Sequence, residues 1–235
     1  MTASPIRRLG VVLVSLVVSG GACSSQRTAE TAPTVGAPPI VPVRTSPDAI
    51  DRARADSVRH PYTDADIHFM TGMISHHAQA ITMARWAPTH GASPSVQTLA
   101  GRIINAQQDE IHLMQQWLAD RRLPVPEPDP KGMKMVMNGM EHTMLMPGML
   151  TAEQMQHLDA ARGPGFDRTF LTGMIQHHRG AVTMVQELFG SYGAGQDETV
   201  FKFASDVNVD QNTEIARMER MLTSMSVSPT QRNQP

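Results

Sequence analysis

The chain has 235 residues, a formal net charge of −2, one cysteine, 18 methionines and only 4% aromatic residues. That length suits one ordinary domain with appendages. A lone cysteine excludes an intrachain disulfide and any zinc site built on several thiolates, and the lack of a concentrated basic patch excludes nucleic-acid binding.

Residues 1–22 read as a secretory signal: Arg7-Arg8, an apolar run from Val11 to Val18, then Gly20-Gly21-Ala22. The run is too short to span a bilayer. Cys23 follows directly, in a place that resembles a bacterial lipoprotein cleavage site. Lipidation of Cys23 would anchor the mature chain to the membrane; ordinary cleavage leaving a free thiol is the alternative. Residues 23–60 are rich in Ser, Thr, Ala and Pro and lack an apolar period, which predicts a flexible tether. The folded part is expected over 61–225, with a polar tail at 226–235.

The first long helix is predicted from Thr63, an N-cap followed by Asp64 and Asp66. Met70, Ile74, His77, Ile81 and Ala84 form one helical stripe, ended by Pro88 and Gly91. Ser93-Pro94 opens a second helix carrying Val96, Leu99, Ile103, Gln107, Glu110, Met114 and Leu118 at helical spacing. Residues 124–150 differ. Alternating prolines forbid a regular helix at first, and then seven methionines and His142 fall between Met133 and Met149. Met133, Met137, Met140 and Met144 keep helical spacing, so a core-facing stripe is one reading. The other is a flexible copper(I) site with Met140, His142 and Met144 among its donors, since Gly132, Gly139, Pro147 and Gly148 oppose one stable helix. Thr151 and Gln154 form a capping box for a short helix to about Ala160, and Gly163-Pro164-Gly165 is expected to break it. A third long helix is predicted over Phe166 to Phe189 and a fourth from Asp197 to Met225. No strand is expected.

The chain carries one unit twice, over 63–122 and 166–225, joined by the Met-rich connection 124–162. Met73-Ile74-Ser75-His76-His77 recurs as Met174-Ile175-Gln176-His177-His178, and Met83 recurs as Met184. Asp66 matches Asp167. Gln107 and Glu110 match Gln211 and Glu214. Two copies of a helical hairpin predict an all-α, pseudo-symmetric four-helix bundle in which the apolar stripes face each other.

Each copy sets two imidazoles beside two thioethers: His76 and His77 with Met73 and Met83, His177 and His178 with Met174 and Met184. Glu110 and Glu214 stand on the inward stripes of the partner helices. Burying four imidazoles without partners would cost about 1–3 kcal/mol each. Two readings answer this: a purely structural His–Glu network, or a metal site. Among metals, imidazole with thioether suits copper. A di-iron bundle wants Glu-x-x-His on two helices, and none is present.

Phe-x-x-Met-Ile-x-His-His with Gln-x-x-Glu-Ile-x-x-Met, given twice, resembles the bacterial family called domain of unknown function 305, as does Met144-Leu145-Met146-Pro147-Gly148-Met149. The resemblance spans Thr63 to Met225. It implies a ferritin-like helical bundle in an exported protein, and its CopM-type members bind copper in the periplasm for resistance. Copy two has Gly180 where copy one has Gln79; Gly180 is expected to allow a close helix approach that Gln79 would block.

Three function classes follow. The first is a lipid-anchored copper-binding protein with a possible copper-handling partner. The second is a ferritin-like redox enzyme using the same histidines. The third is a helical lipoprotein whose polar pairs only fix bundle register. No nucleophile triad or phosphate loop is visible.

Overall fold

The computed structural model describes residues 62–226 apart from Asn138 and the side chain of Met137. The signal, Cys23, the tether and most of the polar tail lie outside the described residues.

Helix α1 spans Asp64–Arg85 and α2 spans Pro94–Asp120. Thr63 caps α1 through a full capping box with Asp66, and Ser93 caps α2 by accepting from the Val96 amide. A short helix, α3, covers Ala152–Ala160 behind the expected Thr151–Gln154 capping box. Helices α4, Gly163–Gly190, and α5, Glu198–Ser226, repeat the first hairpin. The bundle is ferritin-like: α1 packs on α4, and each packs along its own hairpin partner.

Two expectations fail here. The first concerns the start of the third long helix: the short helix ends at Ala160 as expected, but α4 begins at Gly163 instead of near Phe166, so that Gly163-Pro164-Gly165 forms its first turn. Proline is well placed in a first turn, where the amide it lacks would be unpaired anyway. The second concerns the Met-rich segment. It contains strands β1, Met133–Met137, and β2, Met140–Met144, paired antiparallel with Met135 opposite His142. Neither a helical stripe nor a strand-free chain is therefore correct. Gly139 stands at the turn with φ 77°, and the Asn-Gly sequence at 138–139 between alternating residues is a strong hairpin signal.

The core divides into two apolar clusters. One holds Phe69, Met70, Met73, Ile74, Ile111, Met114, Met184, Phe203 and Val207. The other holds Met83, Leu99, Ile103, Phe170, Met174, Ile215 and Met218. On each long helix the residues between these sets are polar: His76-His77, Gln107 with Glu110, His177-His178, and Gln211 with Glu214. The bundle thus carries a polar layer across its middle.

Two aspartates at matching repeat positions brace the hairpins reciprocally. Asp66 on α1 accepts from the Gly195 amide at 2.7 Å, in the loop between α4 and α5. Asp167 on α4 accepts from the Ser93 amide at 3.1 Å, in the loop between α1 and α2. Each copy's carboxylate thereby fixes the other copy's turn.

Candidate metal centre

Helical geometry explains why consecutive histidines both enter the interior. Neighbours on a helix point about 100° apart. On α1 and α4 both directions are covered, because each of these helices packs against its own hairpin partner as well as against the other. All four imidazoles are buried, with at most 1% of any residue exposed. His76 and His177 meet where α1 crosses α4, their ring centroids 3.8 Å apart. His77 and His178 sit 6.2 and 6.3 Å from their neighbours by the same measure.

The outer nitrogens are tied. His77 Nε2 lies 2.6 Å from Glu110 Oε2, and His178 Nε2 lies 2.6 Å from Glu214 Oε2. His76 Nε2 lies 3.0 Å from the Pro147 carbonyl. Carboxylate and carbonyl oxygens only accept, so the proton resides on Nε2 in all three rings. In the neutral ring Nδ1 is then a lone pair. All three Nδ1 atoms are buried without a hydrogen-bond partner, as are both nitrogens of His177 and the side-chain oxygens of Gln107 and Gln211.

His177 differs for a topological reason. The segment 145–150 crosses the α1–α4 contact beside His76 and Gly180, and among the described residues it has no counterpart on the other side. It is held there tightly. Gln79 Nε2 donates to the carbonyls of Leu150 and Pro130, both at 3.0 Å, and Gln79 Oε1 accepts from the Leu150 amide. A β-carbon on Gly180 would lie 1.9 Å from the Pro147 oxygen. Gly180 therefore admits this strap, not a neighbouring helix as expected.

Burial, and then the adjacent His77, holds the His76 pKa well below 6.5; burial, and then His76, does the same for His177. Both rings are neutral at neutral pH. The unfolded chain takes up protons at these positions as pH falls below 6.5, whereas the folded protein does not. Stability is therefore complete above that value and is lost on acidification, by up to about 1.4 kcal/mol per pH unit for each histidine. Urea titrations between about pH 7.5 and 5.5 should show this slope, and a His76→Leu/His177→Leu variant should flatten it.

The methionines of the two repeats bracket the layer. Met73 and Met184 belong to one apolar cluster, and Met83 and Met174 to the other, all four essentially buried. Met140, His142 and Met144 do not join them; they lie exposed on β2. Among the described residues, no three His, Cys, Asp or Glu side chains gather into a metal-holding group. Any complete ligand set in this layer must draw on thioethers or on movement of the rings.

Reading the sequence alone missed Asp210. A groove of about 250 Å³ between α2 and α5 is lined by Glu110, Asp210 and Glu214 and also by Arg102 and Arg217. Burial, and then Glu110, Asp206 and Glu214, raises the Asp210 pKa. Glu110 and Glu214 remain 22% and 26% exposed, so both face this groove while holding a buried ring behind them. Asp210 lies one turn before Glu214 on the solvent side, which inward-stripe reasoning does not inspect.

Known proteins share parts of this chain's sequence or its fold. A curated viral relative, uncharacterized protein L153 of Acanthamoeba polyphaga mimivirus, is 41% identical over 58 residues, covering 25% of this chain; the match spans only 38% of that relative's length. A DUF305 protein of Streptomyces coelicolor, inferred to be secreted, is 29% identical with a TM-score of 0.56 over 69% of this chain and 94% of that one. CopM in its Cu(I)-bound form is 27% identical with a TM-score of 0.51, over 68% of this chain and 96% of that one. Its Cu(II)-bound form is 28% identical with a TM-score of 0.52, at the same coverage. The profile of the domain of unknown function DUF305 matches residues 66–222, the whole two-hairpin bundle, and the chain belongs to that family.

Proposed function

We propose that this protein is exported and lipid-anchored through Cys23, and that it binds copper in the polar layer to sequester it or pass it on. One observation carries the reading: three buried imidazoles have Nε2 committed to an acceptor and Nδ1 free. Histidines that ligate metals usually donate their other ring N–H to a carboxylate or carbonyl in this way. A purely structural network would instead use up both nitrogens, because each orphaned buried group costs about 1–3 kcal/mol.

The donor set fits Cu(I). His76, His77, His177 and His178 would supply neutral nitrogens, and Met73, Met83, Met174 and Met184 stand above and below with soft sulfurs. Glu110 and Glu214 orient the rings, and with Asp210 they set three carboxyl groups beside the guanidinium groups of Arg102 and Arg217 along the groove. CopM, of the same fold, has been solved with Cu(I) and with Cu(II). The Arg7-Arg8 leader and the position of Cys23 support export and anchoring, and fractionation of cells expressing the full chain reads that placement directly. Only two carboxylates recur on the inward stripes, so a di-iron oxidase draws no support.

The test is an anaerobic Cu(I) titration against a chromophoric chelator. Wild type should compete, and a variant with all four histidines replaced by alanine should take up fewer equivalents of Cu(I). Glu110→Gln/Glu214→Gln keeps the shape but weakens the hold on Nε2, and it should lower affinity by roughly 10–100-fold. Equal competition by wild type and the four-alanine variant would refute copper binding in this layer.

A further inference from the structure

The β1–β2 hairpin puts an unusual set of side chains in one place. Residues directly opposite on antiparallel strands share a face. Met135 faces His142 across the ladder, and Met140 and Met144 flank His142 on the same side of β2. The opposite face carries Lys134 and Glu141, ion-paired at 3.2 Å. Met140 is 61% exposed and Met144 39%, His142 is exposed, and Met135 is half-buried. Met133, opposite Met144 on the same face, is buried in the core, which leaves the thioethers of Met135, Met140 and Met144 and the His142 imidazole, none carrying a fixed charge, toward the outer part of the face.

Core packing accounts for Met135, which lies against the apolar cluster, but not for Met140, His142 and Met144, which are exposed on β2. Protection of an exposed ribbon would call for charged side chains, and the sequence places those on the other face. Met135 lies directly opposite His142 and diagonally from Met140 and Met144, at spacings of about 5–8 Å. Unbranched thioethers reach across such gaps. Thioether donors select Cu(I) among the common biological metals, and neutral soft donors suit a monovalent ion. A two-stranded ribbon is only marginally rigid, so it can close on an ion.

We propose that this face is a second, solvent-facing site for a soft monovalent cation, with Met135, Met140, His142 and Met144 as its ligands. It is separate from the histidine layer and takes only the choice of cation from that reading. Its position suggests uptake. β2 runs straight into the strap, where Met146 and Met149 are buried in the same apolar cluster as Met133, Met73 and Met184. An ion could pass inward by exchanging one thioether for the next, keeping its charge throughout and needing no oxidant or reductant.

The test uses the full chain with methyl-13C methionine and Ag(I) as a redox-inert probe. In wild type, Ag(I) should shift the methyl signals of Met135, Met140 and Met144, and Zn(II) should not. Met140→Leu/His142→Asn/Met144→Leu, which alters only exposed positions, should take up one equivalent fewer than wild type. His77→Ala/His178→Ala should keep the hairpin shifts whether or not it loses the interior ion, so failure of the layer and failure of the hairpin read out separately. Unmoved hairpin methyls at saturating Ag(I), or a triple variant that takes up as many equivalents as wild type, would overturn the proposal.

Discussion

A Gly180→Ala variant is expected to lose about 3 kcal/mol of stability, the upper end of the usual cost of overpacking. Helix propensity alone argues the other way, since alanine gains about 1 kcal/mol over glycine inside a helix. The contacts decide it. The added carbon would lie 1.9 Å from the Pro147 oxygen, 2.4 Å from its carbonyl carbon and 2.5 Å from Gly148 Cα, all main-chain atoms. No rotamer relieves this. The strap must lift, which breaks the His76–Pro147 hydrogen bond and pulls against the Gln79 clamp. Gly72→Ala is the matched control, because its new carbon meets only the flexible end of Met146, at 2.6 Å from the methyl. It should cost about 1 kcal/mol or less. Urea denaturation of both variants checks the contrast, and equal midpoints would mean that the strap is not held against α4.

Asp66→Ala should cost a similar amount, about 3 kcal/mol. Its carboxylate is fully buried and accepts from the Thr63 amide, the Thr63 hydroxyl and the Gly195 amide. Loss of the reciprocal cap accounts for about 1 kcal/mol. The Gly195 N–H, left without an acceptor, adds about 1–3 kcal/mol. Asp167→Ala removes one brace without a capping box and should cost less, roughly 2 kcal/mol. In a domain of this size 1 kcal/mol moves Tm by about 2–4 °C, so thermal melts should fall by roughly 10 °C and 6 °C respectively. Equal, small shifts would show that the cross-brace does not tie the hairpins together.

Much of the bundle can be read along the chain because helices announce themselves locally. Thr63 with Asp66 and Thr151 with Gln154 mark two starts at the right residues. The inward stripe through His77 and Glu110 predicts their meeting, because spacing of three and four fixes a face before any tertiary contact forms. The Met-rich segment is ambiguous for an equally local reason. Met133, Met137, Met140 and Met144 satisfy a helical period, while Met133, Met135 and Met137 satisfy a strand period. With methionine at nearly every test position, neither period excludes the other, and Asn138-Gly139 is the feature that decides. Gly180 shows where local reading stops. Its missing side chain signals a close approach, yet only the fold reveals that a loop makes it. The choice of tautomer at His76 depends on the Pro147 carbonyl, 71 residues away.

Duplication has doubled the helices but not the strap, and this makes twins behave differently. His76 is latched to a carbonyl, whereas its mate His177 has no bond to break when it turns. One ring is held by a hydrogen bond and the other by packing alone. A compartment made this way has a direction built into it, which a symmetric dimer of single repeats could not possess.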